Sequence, residues 1–269
     1  MTTLTLIGGG NIATALLSGL AREGRPLGDV AVVEQDPTRA AEVRDRFGVT
    51  VAELADAVPG AELVMIMVKP HHVDALLADL DPLVTDGQLV ASVAGGITTQ
   101  HVEQRLRAKA VVVRCMPNTA MALGQGMTAI SPGSRADAGH LERLRALLEP
   151  VTRVVSVPED QLDIVAALSG SGPAYFAYLA EALIDAGVLL GLPRPLAEDL
   201  VKQTAAGSGL LLRDSGEDPV RLRAAVSSPG GTTMAAVRQL EDRAVRAAVM
   251  AAVEAGRNRA IEMGGRSES

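Results

Sequence analysis

The chain has 269 residues, enough for two domains of ordinary size and a substantial core, and with aromatics at only 1% that core must rest on Ala, Val, Leu, Ile and Met. Its 25 basic and 32 acidic side chains leave a formal charge of -7 with no dense basic block, which argues against a nucleic-acid partner. A single cysteine, Cys115, excludes an internal disulfide and a multi-thiolate metal site. Of the histidines only His71 and His72 are near each other, and adjacent residues on a helix point apart, so no metal is expected.

In chain order, the expected elements begin with a strand at Leu4–Gly8. The turn that follows, Gly8-Gly9-Gly10-Asn11-Ile12-Ala13, fits G-x-G-x-x-A and opens a helix over Asn11–Arg22. In that pattern Gly8 permits the tight turn, Gly10 lets the backbone approach a pyrophosphate, and small Ala13 allows close helix–strand contact. The helix start at Asn11 and Ile12 offers free N–H groups and the positive end of the dipole to phosphates. A glycine turn used only for packing is the competing reading. Its place at the first strand–helix junction of a βαβ unit favours a dinucleotide.

A second strand, Val30–Glu34, ends in an acidic residue 24 positions beyond Gly10. Glu34 there can accept hydrogen bonds from the ribose hydroxyls of NADH and repel a 2′-phosphate. Arg39 shortly afterwards is placed to meet such a phosphate, and a solvated strand-end carboxylate is the bland alternative. The balance leans to NADH over NADPH.

Further strands are expected at Val49–Val51, Leu63–Val68, Leu89–Val93 and Val111–Cys115, with helices at Pro37–Phe47, His71–Leu80 and Thr98–Ala108 between them. Runs such as Leu63–Val68 are apolar throughout, as in strands covered on both faces. The alternation implies an α/β fold with a Rossmann-type, doubly wound, mainly parallel sheet. Ligands collect at the carboxyl ends of such strands, which singles out Val68-Lys69-Pro70, Ala94-Gly95-Gly96 and Met116-Pro117-Asn118-Thr119. Lys69, after six apolar residues, needs a polar partner that a cofactor would supply; an ordinary turn lysine is the alternative. Gly95 and Gly96 would let a nicotinamide lie close to the backbone. Cys115 has no neighbouring His or helix start to activate it and reads as a buried small residue. A last strand–helix–strand follows at Met127–Ile130, Ala136–Leu148 and Arg153–Val157.

After Pro158 the strand signals stop, which divides the chain into a dinucleotide-binding domain over 1–158 and an all-α domain over 159–269. Helical patterns cover Asp163–Leu190, with a Ser-Gly-Ser-Gly-Pro break, then Pro195–Asp214, Pro219–Val226 and Thr233–Met263; the tail Gly264–Ser269 reads as frayed. The apolar stretch Pro173–Leu192 holds Glu181 and Asp185, and Asp alone costs roughly 2.5–3.5 kcal/mol at a bilayer centre. It reads as a buried helix at a protein interface, not a membrane span. Helical faces this broad imply a second subunit. Met1-Thr2-Thr3-Leu4 runs straight into a strand without a basic segment or cleavage site, so a cytoplasmic protein is expected.

Two small-residue loops interrupt the helical half: Ser169-Gly170-Ser171-Gly172-Pro173 and Ser227-Ser228-Pro229-Gly230-Gly231-Thr232-Thr233. The second runs into the last helix and exposes backbone N–H groups at its start, a site for an anion such as a carboxylate, or else a plain capping loop.

The ordered set Gly8-Gly9-Gly10-Asn11, Val68-Lys69-Pro70, Met116-Pro117-Asn118-Thr119, Gly170-Ser171-Gly172-Pro173-Ala174-Tyr175 and Ser228-Pro229-Gly230-Gly231-Thr232-Thr233 resembles pyrroline-5-carboxylate reductase along essentially the whole chain. The resemblance implies reduction of Δ1-pyrroline-5-carboxylate to L-proline with NADPH or NADH. It also implies a homodimer built through helical domains, with dimers often assembling into decamers. Carried over by position, Thr233 would hydrogen-bond the substrate, and the Gly230, Gly231 and Thr232 backbone would hold its carboxylate. Glu159 falls where the family can have a carboxylate near the substrate. Gly8, Gly10, Asn11, Ile12, Glu34, Val68, Lys69, Pro70, Ala94, Gly95 and Asn118 would hold the cofactor. Members often have small or hydroxyl residues in place of Glu34, and some have an asparagine in place of Ala225, so that contact should be missing. Two rival readings remain at this level: another NAD(P)-dependent imine or β-hydroxy-acid dehydrogenase, for which Lys202 is the helical lysine available, and a non-catalytic dinucleotide-sensing protein.

Overall fold

The computed structural model describes residues 3–264; Met1, Thr2 and 265–269, and with them all of the tail expected to fray except Gly264, lie outside the described residues. Among the described residues eight strands form one sheet: β1 (Leu4–Ile7), β2 (Val30–Val33), β3 (Thr50–Val51), β4 (Leu63–Ile66), β5 (Leu89–Ser92), β6 (Val111–Met116), β7 (Gly126–Pro132) and β8 (Thr152–Ser156). Their order is β3-β2-β1-β4-β5-β6-β7-β8, parallel throughout except between β6 and β7. The antiparallel step has a plain cause. Only Pro117–Gln125 joins β6 to β7, too short for a crossover helix, whereas adjacent parallel strands need a dozen or more connecting residues.

The helices over the sheet are α1 (Asn11–Arg22), α2 (Pro37–Phe47), α3 (Leu54–Ala57), α4 (Val73–Leu80), α5 (Thr99–Arg105) and α6 (Ala138–Leu148). Alternate residues of each strand feed two cores. Leu4, Leu6 and Val32 pack with Leu16, Leu17 and Leu144 on one face, while Ile7, Val64 and Ile66 pack with Leu77, Leu80 and Val102 on the other. The short α3 carried no sequence signal because four residues span a single turn; its Ala57 carbonyl accepts from the buried Thr5 hydroxyl at 2.6 Å.

The rest is helical: α7 (Leu162–Val165) running into a π-turn at Ala166–Gly170, then α8 (Gly172–Leu189), α9 (Arg194–Asp214), α10 (Pro219–Ala225), α11 (Thr232–Asp242) and α12 (Val245–Met263). The single helix expected over Thr233–Met263 is therefore two, broken at Arg243-Ala244, where Ala244 takes a left-handed φ of 55°. Apolar periodicity continues across the break, so the pattern alone did not reveal it.

By contacts the chain forms two compact units, Met1–Pro173 with Glu254–Ser269, and Ala174–Val253. The first holds the sheet and both cores. Within the second only Ile184 and Ala197 are buried, while Phe176, Leu179, Leu183, Leu210, Leu211 and Met250 are exposed in the single chain. Eighty residues of helix with so little interior cannot be stable as an isolated layer. Among the described residues, no helix is long and apolar enough to cross a membrane.

Candidate functional site

Strand order reverses between β1 and β4, and the crevice outside their carboxyl ends is where open α/β sheets bind ligands. Gly8 lies between those ends. Its φ is +105°, and a Cβ there would stand 3.0 Å from the Met67 carbonyl oxygen, so only glycine fits. Gly10 is the opposite case: a Cβ would meet nothing within 4 Å, leaving the backbone open to a close approach. Gly10 caps α1 with extended backbone (φ -73°, ψ -167°) and no side chain caps this helix. The first helical bond runs from the Thr14 N–H to the Gly10 carbonyl, so the first-turn N–H groups, those of Asn11 and Ile12 included, are left for a ligand. A cleft of about 230 Å³ opens here, lined in part by Gly9, Gly10, Asn11, Thr14, Arg39 and Arg46. Backbone donors, a helix dipole and two guanidiniums fit a pyrophosphate.

Glu34 closes one side of the turn. Its Oε2 accepts from the Gly9 N–H at 2.8 Å and from Arg39 Nη1 at 3.3 Å, and its Oε1 accepts from the Asp36 N–H at 2.9 Å. Burial opposes ionisation of this carboxyl, but the two backbone donors and Arg39 outweigh it and hold its pKa below the ordinary value. Glu34 thus orders the glycine turn itself, a duty the sequence reading did not assign. Arg39 pairs with Glu34 while its side chain stays half exposed.

Val68 and Lys69 follow β4, and Pro70 opens a 3-10 turn, Pro70–His72; Lys69 is exposed and forms no ion pair among the described residues. Ala94 and Gly95 follow β5, and a Cβ at Gly95 would meet nothing within 4 Å. Asn118 spends its carboxamide on the protein: Nδ2 donates to the Ser169 carbonyl and Oδ1 accepts from the Met127 N–H, each at 3.2 Å. Cys115 is buried, and that burial pushes its thiol up to about 12, so it is no nucleophile.

Glu159 is engaged as well. One oxygen accepts from the Thr99 N–H at 2.6 Å and the other from the Thr99 hydroxyl at 2.8 Å. Behind it lies a residue the sequence reading passed over. Arg114, 1% exposed, pairs with the 3% exposed Asp163 at 2.7 Å, and its Nη1 lies 3.8 Å from Glu159. The available signal was an arginine inside the otherwise apolar Val111–Met116 strand. A wider cleft of about 580 Å³ lies between α5 and the end of β7, but its carboxylate, Glu103, is already bound by the Ser134 N–H and hydroxyl. The strand ends and the α1 dipole point to the smaller cleft.

In the second unit, Gly230 has a left-handed φ of +70°, and the Gly231 N–H donates to the Ser228 carbonyl at 3.0 Å. Gly231 caps α11 with φ -79° and ψ 170°, again without a side-chain cap. This repeats the backbone of Gly10. By contrast α2, α5, α6 and α10 are capped by the side chains of Asp36, Thr98, Asp137 and Asp218. Lys202, the helical lysine of the rival reading, is exposed and paired with Glu198 at 3.1 Å.

Residues 159–263 match the family described as pyrroline-5-carboxylate reductase dimerisation, and residues 3–96 match NADP oxidoreductase, coenzyme F420-dependent. A pyrroline-5-carboxylate reductase of Mycobacterium tuberculosis is 43% identical over 98% of this chain and 97% of its own length. Among solved structures, a pyrroline-5-carboxylate reductase of Coxiella burnetii aligns over 100% of this chain and 99% of its own, with a TM-score of 0.87 and 32% identity. The Plasmodium falciparum pyrroline carboxylate reductase, solved with NADP bound, gives the same TM-score of 0.87 at 26% identity, over 98% of both chains. Along nearly its whole length, then, the chain belongs to the pyrroline-5-carboxylate reductase family.

Proposed function

We infer that the chain reduces Δ1-pyrroline-5-carboxylate to L-proline with NAD(P)H, acting on this small-molecule substrate as a homo-oligomer. The observation that carries the reading is the pair of glycine-capped helix starts, Gly10 and Gly231, in a chain of this family. Each leaves backbone donors at the positive end of a helix, and the reaction needs two anions held: a pyrophosphate and a carboxylate.

Gly8, Gly10, Asn11 and Ile12 would hold the pyrophosphate, and Val68, Lys69, Pro70, Ala94 and Gly95 would line the nicotinamide, which when bound supplies the hydride. The Gly230–Thr232 backbone holds the substrate carboxylate and so fixes the ring. The Thr233 hydroxyl hydrogen-bonds the ring nitrogen, an orienting role, since a threonine is a poor proton donor. A protonated cyclic imine is already electrophilic at carbon, so placement and exclusion of water do most of the work. The Asn118 carboxamide and both Glu159 oxygens are bonded within the protein, which favours a structural duty for each.

Glu34 gives the cofactor preference. A carboxylate held ionised at the end of β2 disfavours a 2′-phosphate, so NADH is the better donor. The division of labour is a dinucleotide domain over 1–158 and a substrate and dimerisation domain over 159–269, in a cytoplasmic dimer that assembles further into a decamer.

The test is to incubate the protein with pyrroline-5-carboxylate and each reduced nicotinamide separately. Loss of reduced cofactor, faster with NADH, is expected. No loss with either would overturn the function, and faster loss with NADPH would overturn the preference alone.

A further inference from the structure

The segment 94–99, which leads from β5 into the first residue of α5, is held at two points by segments distant in sequence. At one, Gly96 lies against the end of α12. A Cβ at Gly96 would stand 2.6 Å from the Gly264 nitrogen and 2.7 Å from the Ala260 carbonyl oxygen, and a Cβ at Gly264 would overlap the Gly96 carbonyl. The obstacles are backbone atoms on both sides, so neither can turn aside. At the other, Glu159 takes both the N–H and the hydroxyl of Thr99, and Arg114 backs Glu159. The wall formed by Ala94 and Gly95 runs directly into the first clamp at Gly96, three residues before the second at Thr99.

We propose that Gly264 and Glu159 are positioning residues for the hydride-transfer step, holding the Ala94–Gly95 wall at the nicotinamide's working distance. This rests on the assignment of that wall to the nicotinamide. It gives Glu159 a role through Thr99 in place of a substrate contact.

Gly264→Ala is the clean probe, because the Gly264 φ lies outside the left-handed region and the atoms nearest the added methyl all belong to the Gly96 backbone. The loop must then shift, and a misplacement near 1 Å lowers kcat about tenfold to a hundredfold. The pyrophosphate turn is untouched, so KM for NADH stays near wild type, and so does the melting temperature. Glu159→Ala should lower kcat in the same way, with Glu159→Gln partly restoring it, since an amide oxygen still accepts from Thr99. Glu262→Ala, which breaks only the surface pair with Arg259 on the same helix end, should leave the kinetics unchanged.

Gly95→Ala, whose methyl meets nothing in the protein, separates the two levels. Normal kinetics in Gly95→Ala would overturn the wall and the proposal together. Impaired Gly95→Ala with normal Gly264→Ala would overturn the proposal and leave the wall standing. A rise in KM for pyrroline-5-carboxylate in Glu159→Ala, with kcat unchanged, would return Glu159 to the substrate and remove it from the clamp. An equal kinetic loss in Glu262→Ala would show that the helix end matters as a whole and not through Gly264.

Discussion

Thr233 and Glu34 carry the account at the scale of single residues. Thr233→Ala should keep cofactor binding and lower turnover by about one to two orders of magnitude, the scale of one lost transition-state hydrogen bond. Steady-state kinetics checks it, and wild-type turnover would remove Thr233 from the mechanism. Glu34 makes a prediction of sign. Its pKa is depressed from an ordinary 4.5, so its contribution to stability is complete above that value and is lost as pH falls through the lower folded value. Urea unfolding at a series of acid pH values should show the wild type losing stability below about pH 4.5 faster than Glu34→Gln. The Gly8–Ala13 turn was legible because its residues sit in a fixed spacing, whereas Thr233 entered only through the family resemblance. Arg114, Asp163 and the Thr99–Glu159 clamp were not legible, since partners 49 and 60 residues apart leave no periodic trace.

Among the elements, the proposed function rests on the two glycine-capped helix starts, at Gly10 and Gly231, which backbone rather than side chains makes. Gly10→Ala tests this at α1. The methyl has open space and an allowed φ, so the melting temperature should hold, while KM for NADH rises about tenfold, the cost of a Cβ between backbone and pyrophosphate. An unchanged KM would place the phosphates elsewhere. Element type was readable along the chain: α1 and α2 run over Asn11–Arg22 and Pro37–Phe47 as expected, and each expected strand is present. Direction was not. Nothing in Met127–Ile130 encodes that it runs against β6; the nine-residue connection decides it. The break at Ala244 escaped for a related reason, because a one-residue left-handed step leaves helical periodicity on either side intact.

For the whole molecule, the second unit is a surface awaiting its counterpart. Phe176, Leu179 and Leu183 recur at helical spacing on one exposed face of α8, 70%, 51% and 51% accessible. Leu179→Glu should shift the protein towards monomer in sedimentation or light scattering and reduce activity with it. A full-sized assembly in that variant would move the interface to another face. That the helical half needs a partner was visible in its composition; which face meets which was not, because exposed apolar residues are spread over α8, α9, α11 and α12 alike. The central claim is chemical: hydride passes from the cofactor to the imine carbon of pyrroline-5-carboxylate. Supplying NADH deuterated at the transferring position of C4 and examining the proline by NMR tests it most directly. The account predicts one deuterium at C5 of proline; proline without the label, or no proline at all, would contradict it.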